Sequence, residues 1–340
     1  AVMRKLRTFL IFVAVAAAMA EACTSLLASG KVTGGSPVLW KHRDTGTEHN
    51  FIERVEATDS TQAFVALFNG GDSLLAEAWT GMNEAGFAIM NTASYNLAPD
   101  TARLKDREGV VMRIALERCV SVADFDRLLR TLPKPLGVQA NFGVMDRSGG
   151  LAYFETDDYG FTRFDVDADT AGYIIRTNFS VTGNDTDGMG YIRFGNATHL
   201  VGERLAAGEK ITPSFCVDTL SRSYYHSLFG RDILADTSAH MFLDQDFIPR
   251  RSTSASIAIS YGRSGQPVML VALGYPAVAQ TMTATVDFVP EALRPTAPGF
   301  RSPACDAAVE AKRLIFPITR GSGPRYLDMD RVRQALTTNR

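Results

Sequence analysis

The first two thirds of the chain alternate between apolar and polar positions at the two-residue spacing that is typical of half-buried β-strands. The segments CTSLLASG and SPVLWKHRD predict two strands joined by the turn signal KVTGG. Three more strands are predicted within TQAFVALFNGG, SLLAEAWTGM and GFAIMNTASY, and GMNEAGF has the composition of a hairpin turn. Such closely spaced short strands favour antiparallel sheets.

Helical patterns interrupt the strands in three places. The segment EGVVMRIALERCVSVADFDRLLRTLPKP predicts one helix, or two with a cap near Ser121, ending at Pro133 and Pro135. Further helices are predicted from about Ala197 to Tyr225 and in the tail from Ala304. Strands return in NFGVMDRSGGLAYFETDDYGFTRFD, TAGYIIRTNFS, TSASIAISYGRSGQPVMLVALG and QTMTATVDFV. Two packed antiparallel sheets with helices outside, in one domain, fit this order.

Composition excludes several classes of function. The chain has 340 residues, 46% of them apolar, which is enough for a large core. Its 35 basic and 37 acidic residues nearly cancel, and no basic run occurs beyond the extreme N-terminus, so no nucleic-acid partner is expected. The four cysteines are far apart and form no CxxC or Cys/His cluster, so neither a metal nor another cofactor is implied.

The N-terminus has the three parts of a secretory signal peptide. Basic residues at positions 4, 5 and 7 precede an apolar run over 9–20, and Ala20 and Ala22 are the small residues before a cut at Cys23. We therefore expect residues 1–22 to be a signal peptide and the mature protein to be periplasmic or secreted. The apolar run is shorter than the ~20 residues that span a bilayer, so no stable membrane anchor is expected.

A cysteine at the first mature position has a chemical consequence. A thiol with a pKa of about 8.5 needs a base or a cation before it can attack a carbonyl. The α-amino group of the same residue, with a pKa of about 7.7–8.0, supplies that base. No histidine lies in a recognisable catalytic dyad, and His42 is expected to be structural or exposed. Two alternatives stay open for Cys23: lipid attachment, which Glu21 fits badly, and a structural thiol.

The opening CTS, followed about twenty residues later by a basic residue and an aspartate, is similar to one branch of the N-terminal-nucleophile hydrolases. That branch comprises choloylglycine hydrolases and acyl-coenzyme A:isopenicillin N acyltransferases, with bile salt hydrolases, penicillin V acylases and acid ceramidase relatives. The resemblance extends from Cys23 to roughly Asp287. It implies an α+β fold, a four-layer αββα sandwich over 23–300, with residues 301–340 as a helical extension packed on the same domain.

The family's second motif, Arg-Asn-x-Asp, corresponds here to KHRD. Asp44 matches the aspartate that holds the N-terminal amine in the family. Lys41 stands where the family has arginine, and Arg43 could fill that place instead. Because Lys41 and Asp44 belong to opposite faces of an alternating strand, we expect the strand to end or bulge between them.

Three later motifs complete the implied site. GMNEAGFAIMN places Asn83 at a turn and Asn91 at the family's oxyanion donor, and IIRTNFS makes Asn178 a second polar contact. Asn178 also begins a glycosylation sequon, which favours a bacterial export route. IPRRSTSASIAI supplies the late basic residue; Arg250 fits better than Arg251, since adjacent strand residues point to opposite faces.

The resemblance implies hydrolysis of a linear amide in a small N-acyl substrate through an acyl-enzyme on Cys23. Acyl transfer to an amine and an exported binding lipoprotein acylated at Cys23 remain alternatives. The identity of the amide, the oligomeric state and the disulfide state of the other three cysteines stay open. Four aromatic residues are candidates either for an acyl pocket or for the core: Phe68, Trp79, Tyr95 and Phe142.

Overall fold

The computed structural model describes residues 23–97, 105–244, 246–317 and 326–338. The expected signal peptide lies outside the described residues. The strands are β1 (Thr24–Ala28), β2 (Val38–Asp44), β3 (Asn50–Val55), β4 (Phe64–Asn69), β5 (Thr80–Asn83), β6 (Ala88–Ala93), β7 (Ala140–Met145), β8 (Leu151–Thr156), β9 (Phe161–Asp165), β10 (Tyr173–Arg176), β11 (Tyr225–His226), β12 (Arg231–Asp232), β13 (Met241–Leu243), β14 (Thr253–Tyr261), β15 (Pro267–Leu273), β16 (Thr281–Thr285) and β17 (Tyr326–Asp328). The helices are α1 (Gly30–Thr33), α2 (Glu108–Arg118), α3 (Val122–Thr131), α4 (Tyr191–Ala206), α5 (Pro303–Ile315) and α6 (Met329–Thr338).

Two antiparallel sheets form the centre of the protein. One has six strands in the order β10-β1-β2-β14-β15-β16, and the other has seven in the order β3-β4-β5-β6-β7-β8-β9. Each strand of the larger sheet pairs with its neighbour in sequence, and the connection between β6 and β7 carries α2 and α3. In the smaller sheet β1 and β2 lie side by side in its interior, and every residue of both strands is buried.

The sheets pack face to face, and their inner faces form the main core. Leu27 and Leu39 of the six-stranded sheet belong to the same buried cluster as Met90 and Phe142 of the seven-stranded sheet. Along β2 the alternate residue Trp40 faces the other way, into a second cluster with Val201 of α4. The six-stranded sheet is therefore covered on both faces, which explains why its strands are apolar at nearly consecutive positions.

Helices complete the four layers. Met112 of α2 and Phe125 of α3 lie in the main core beside the seven-stranded sheet, and α4 lies on the outer face of the six-stranded sheet. The expected αββα sandwich is confirmed. The expected cap at Ser121 is also present, as a reciprocal capping box with Asp124 that begins α3.

Several elements differ from the sequence-based expectation. The turn after β1 contains the short helix α1, β3 was not predicted, and α4 begins at Tyr191 rather than near Ala197. Within SLLAEAWTGM only β5 forms, because the carboxylate of Asp72 accepts hydrogen bonds from the backbone N–H groups of Ala76 and Glu77 and holds that segment as a loop.

The C-terminal elements contact the rest of the fold. β17 pairs with β13, and α6 contributes Val332 to a third buried cluster. Lys312 of α5 is buried, and its ammonium lies 2.7 Å from Glu48 Oε1 and 3.0 Å from the carbonyl oxygen of Arg251. Among the described residues, none of the helices combines the length and apolar character that a membrane span requires.

Candidate active site

Cys23 lies directly before β1, at the end of two interior strands, and only 2% of it is exposed. β1 pairs with β2 in a register that places Thr24 opposite His42. The Sγ atom of Cys23 lies 3.9 Å from the carbonyl oxygen of Asp44. Ser25 Oγ lies 2.9 Å from the hydroxyl of Tyr153 in the opposite sheet. Ser25 therefore points to the inner face, towards the seven-stranded sheet, and alternation along the strand places the Cys23 side chain on the same face.

Lys41 joins the two sheets on this inner face. Its ammonium donates to Asn91 Oδ1 at 2.6 Å and to the backbone carbonyl of Trp79 at 2.8 Å. Both Lys41 and Asn91 are 2% exposed. Among the described residues Asn91 Nδ2 has no hydrogen-bond acceptor, so this amide group is available to an incoming oxygen.

Arg43 shares the inner face with Lys41 but has other partners. Its guanidinium donates to Asn50 Oδ1 at 2.7 Å and to Asn69 Oδ1 at 2.8 Å, and it stacks 4.9 Å from the ring of Trp79. Of the two basic residues in KHRD, Lys41 is thus the one that contacts another residue of the expected site.

Asp44 faces the outer side of the sheet. Its Oδ2 accepts from Arg250 Nη2 at 2.8 Å and from Nε at 3.1 Å, and its Oδ1 accepts from the hydroxyl of Thr253 at 2.6 Å. Burial opposes the charge of Arg250, but attraction from Asp44 leaves the pKa of Arg250 above its usual value. Arg251 instead points to Glu48, at 3.4 Å, so Arg250 is the arginine at Asp44.

His42 belongs to the same outer network. Its Nε2 lies 3.0 Å from Thr253 Oγ1, whose proton is already donated to Asp44, so Nε2 carries a hydrogen and is the donor in this bond. Burial lowers the pKa of His42 to about 4, attraction from Asp44 opposes this, and the charges of Arg193 and Arg250 add to the lowering. The geometry gives His42 a role in holding Thr253.

The expected end or bulge of the strand between Lys41 and Asp44 is wrong. β2 continues unbroken to Asp44, and the irregularity lies in its neighbour β14, between Thr253 and Ala255. Lys41 and Asp44 therefore extend from opposite faces of β2, Lys41 towards Asn91 and Asp44 towards Arg250.

Asn178 follows β10 and is completely buried. Its Nδ2 donates to the carbonyl of Ala93 at 2.8 Å, and its Oδ1 accepts from Arg193 Nη2 at 2.8 Å. Arg193 also donates to the carbonyl oxygen of Cys23 at 2.5 Å. Sequence reasoning missed Arg193, which lies outside the motifs and ahead of the predicted helix, and Thr253, which lies within IPRRSTSASIAI at a position to which the resemblance gives no role.

The remaining cysteines are buried free thiols. Burial raises the pKa of Cys119 to about 12 and that of Cys305 to about 11, and it also raises the pKa of Cys216. Phe68 and Phe142 are core residues of the inter-sheet cluster, as is Trp79 at 5% exposure. Tyr95 is half-buried. Within the described ranges no group of His, Cys, Asp or Glu side chains could hold a metal ion.

A sandwich of two antiparallel sheets with a cysteine at the start of an interior strand is the arrangement that the motifs predicted. Comparison with known families matches residues 75–192 to acyl-coenzyme A:6-aminopenicillanic acid acyl-transferase. This segment is about a third of the chain. It contains Asn91 and Asn178 but does not include Cys23, Lys41, Asp44 or Arg250. The match confirms the resemblance to the acyltransferase members of the expected branch over these residues.

Solved structures give distant likenesses, and no curated protein matches. A conjugated bile acid hydrolase from Clostridium perfringens has a TM-score of 0.47 and 11% identity, covering 78% of this chain and 92% of its own. Penicillin V acylase from Agrobacterium tumefaciens has a TM-score of 0.40 and 13% identity, covering 78% and 87%. An N-acylethanolamine-hydrolyzing acid amidase ortholog from Caenorhabditis elegans has a TM-score of 0.40 and 14% identity, covering 53% and 79%.

Proposed function

We propose that the protein, once the residues ahead of Cys23 are removed, is an amidase that cleaves a linear carbon-nitrogen bond of a small N-acyl substrate. The observation that carries this proposal is the meeting of buried polar groups from distant parts of the chain at Cys23. Asp44 and Arg193 contact Cys23 directly, and they are bonded in turn to Arg250 and Asn178. Lys41 and Asn91 form a third bonded pair, on the inner face that alternation also gives to Cys23. A structural cysteine needs no such surroundings.

The chemistry follows from these positions. The Cys23 thiolate attacks the amide carbonyl while the amine of the same residue takes up the thiol proton and later gives it to the leaving nitrogen. Asn91 Nδ2 donates to the oxyanion of the tetrahedral intermediate. Collapse of the intermediate releases the amine, and water then releases the acyl group from sulfur. Asp44 is the group proposed to hold the amine of Cys23, with its carboxylate fixed by Arg250 and Thr253.

The test is hydrolysis of a panel of amides by the protein processed at Cys23. The panel contains bile-salt conjugates, phenoxyacetyl amides and fatty-acyl amides, including N-acylethanolamines. Wild type should release amine from at least one of them, whereas Cys23→Ala and Cys23→Ser should release none and should fold normally. One residue added before Cys23 should be nearly as damaging, because it moves the amine away from the nucleophile. Normal turnover by the extended protein would contradict a shared nucleophile and base.

Acyl transfer to an amine is the second candidate, and the family match to an acyl-transferase favours it. The ratio of transferred to hydrolysed product with an added amine acceptor separates the two reactions. Export, cleavage before Cys23 and the absence of a lipid are part of the same proposal. The intact mass of the mature protein tests them, because a diacylglyceryl group on Cys23 would support a binding lipoprotein instead.

A further inference from the structure

A buried arginine contacts the main chain of Cys23 from outside the six-stranded sheet. Arg193 lies in the first turn of α4 and is 1% exposed. Its Nη1 donates to the carbonyl oxygen of Cys23 at 2.5 Å and to Thr24 Oγ1 at 3.0 Å, while Nη2 donates to Asn178 Oδ1 at 2.8 Å. Burying a guanidinium is costly, and the three acceptors that offset this cost by bonding to its Nη groups all lie at the candidate site.

The backbone before Arg193 leaves room for this arrangement. Gly190, at the start of α4, has a φ of 83°, in the left-handed range where a side chain is disfavoured. A Cβ at Gly190 would overlap Arg193 Nη2 and would lie 3.0 Å from Thr177 Cβ. The hydroxyl of Thr177 also donates to the carbonyl of Gly190 at 3.1 Å. A residue other than glycine would therefore displace the guanidinium from Cys23.

The charges around Cys23 come from three elements. Lys41, Arg43 and Asp44 belong to β2, together with the uncharged His42; Arg250 precedes β14, and Arg193 belongs to α4. Burial lowers the pKa of Arg193 to about 10, the charge of Arg250 adds to this, and Asp44, Cys23 and Asp246 oppose it. Arg193 is thus still a cation at neutral pH. A cation near a thiol favours the thiolate, which is the form that attacks.

We infer that Arg193 is a positioning residue of this site: it fixes the carbonyl of Cys23 and the amide of Asn178 together, and it brings a cation to the nucleophile from the outer face. This inference rests on the proposed function. Because nucleophile and base are the side chain and the amine of one residue, fixing the main chain of Cys23 orients both groups at once.

The experiment compares Arg193→Met, Arg193→Lys and Gly190→Ala with the wild-type protein processed at Cys23. The control is Arg204→Met, which removes an arginine from the opposite end of α4, where it bonds to the carbonyl of Lys210. Two quantities are measured for each: the pH midpoint of Cys23 alkylation by iodoacetamide, mapped by mass spectrometry, and kcat and KM for an amide that wild type hydrolyses. Thermal unfolding reports whether each variant folds.

Arg193→Met should raise the alkylation midpoint by about one pH unit, since an attractive cation is lost. It should lower kcat about tenfold or more with little change in KM, since the geometry of attack is disturbed. Arg193→Lys should keep the wild-type alkylation midpoint, because the positive charge remains. It should lose part of kcat, because lysine lacks the planar guanidinium that bonds to Cys23 and Asn178 together. Gly190→Ala should lower kcat, and Arg204→Met should resemble wild type.

A folded Arg193→Met with wild-type midpoint and kcat would overturn the inference. If that variant does not fold, a wild-type kcat in both Arg193→Lys and Gly190→Ala overturns it instead. The proposed function fails differently, when wild type hydrolyses none of the panel amides. In that case the alkylation midpoints alone decide whether Arg193 acts on Cys23.

Discussion

The ammonium of Lys41 and the amide oxygen of Asn91 lie 2.6 Å apart and connect β2 of one sheet to β6 of the other. This bond fixes which end of the Asn91 amide is a donor: its oxygen accepts from Lys41, so Nδ2 is presented to the site. The lysine that departs from the family's arginine thus orients the asparagine proposed to stabilise the oxyanion.

Asn91→Leu should remove that donor. We expect turnover to fall by ~10²–10³, with alkylation of Cys23 by iodoacetamide nearly unchanged, because neither group that ionises the thiol is altered. Steady-state kinetics and peptide mapping measure the two effects. Parallel loss of alkylation and of the thermal unfolding transition would mean that Asn91 acts on folding and not on the reaction.

Asn178→Leu should behave differently from Asn91→Leu. Both ends of the Asn178 amide are bonded, to the carbonyl of Ala93 and to Arg193, so its loss leaves buried groups unsatisfied. We expect lower turnover together with a loss of about 1–3 kcal/mol in the free energy of unfolding. Denaturant titration measures the latter. An unfolding free energy equal to that of wild type would contradict the bonding described for Asn178.

Lys41 and Arg43 share the inner face, but their partners predict different effects on Cys23. Lys41→Met should raise the pH midpoint of Cys23 alkylation by about one unit, because the cation bonded to Asn91 at the proposed site is lost, whereas Arg43 is held by Asn50 and Asn69. Arg43→Met is the matched control: it removes bonds to Asn50 and Asn69 and should lower stability with little shift in the midpoint. A shift in Arg43→Met that is absent in Lys41→Met would transfer the role to Arg43.

The sequence predicted the features of this protein that depend on local patterns, and it missed those that depend on the packing of distant segments. Strand alternation and the Ser121 cap are local signals, and they located the sheets and α3 correctly. Arg193 could not be found in this way, because its contacts with Cys23 and Asn178 depend on how α4 packs on the sheet. The same limit applies to Thr253, whose bond to Asp44 depends on the irregularity in β14. Alternation correctly separated Lys41 from Asp44, but their partners Asn91 and Arg250 depend on the packing of distant segments.

His42 gives a prediction about pH that does not depend on the substrate. It is completely buried, and its pKa is about 4 in the folded protein against 6.5 for an unperturbed histidine. Between these values the unfolded chain binds a proton that the folded protein does not, so stability falls as pH falls. The contribution of His42 to the free energy of unfolding is fully present above pH 6.5, and about 3 kcal/mol of it is lost by pH 4.

His42→Gln should remove this dependence, because glutamine does not titrate and its amide N–H can still donate to Thr253. Denaturant titrations across the window from pH 6.5 to about 4 should therefore show a smaller loss of unfolding free energy in His42→Gln than in wild type. His199→Gln is the matched control, since His199 is exposed on α4, and it should keep the wild-type slope. Parallel curves for wild type and His42→Gln would show that His42 binds its proton equally in the folded and unfolded protein, which would contradict the pKa lowered by burial.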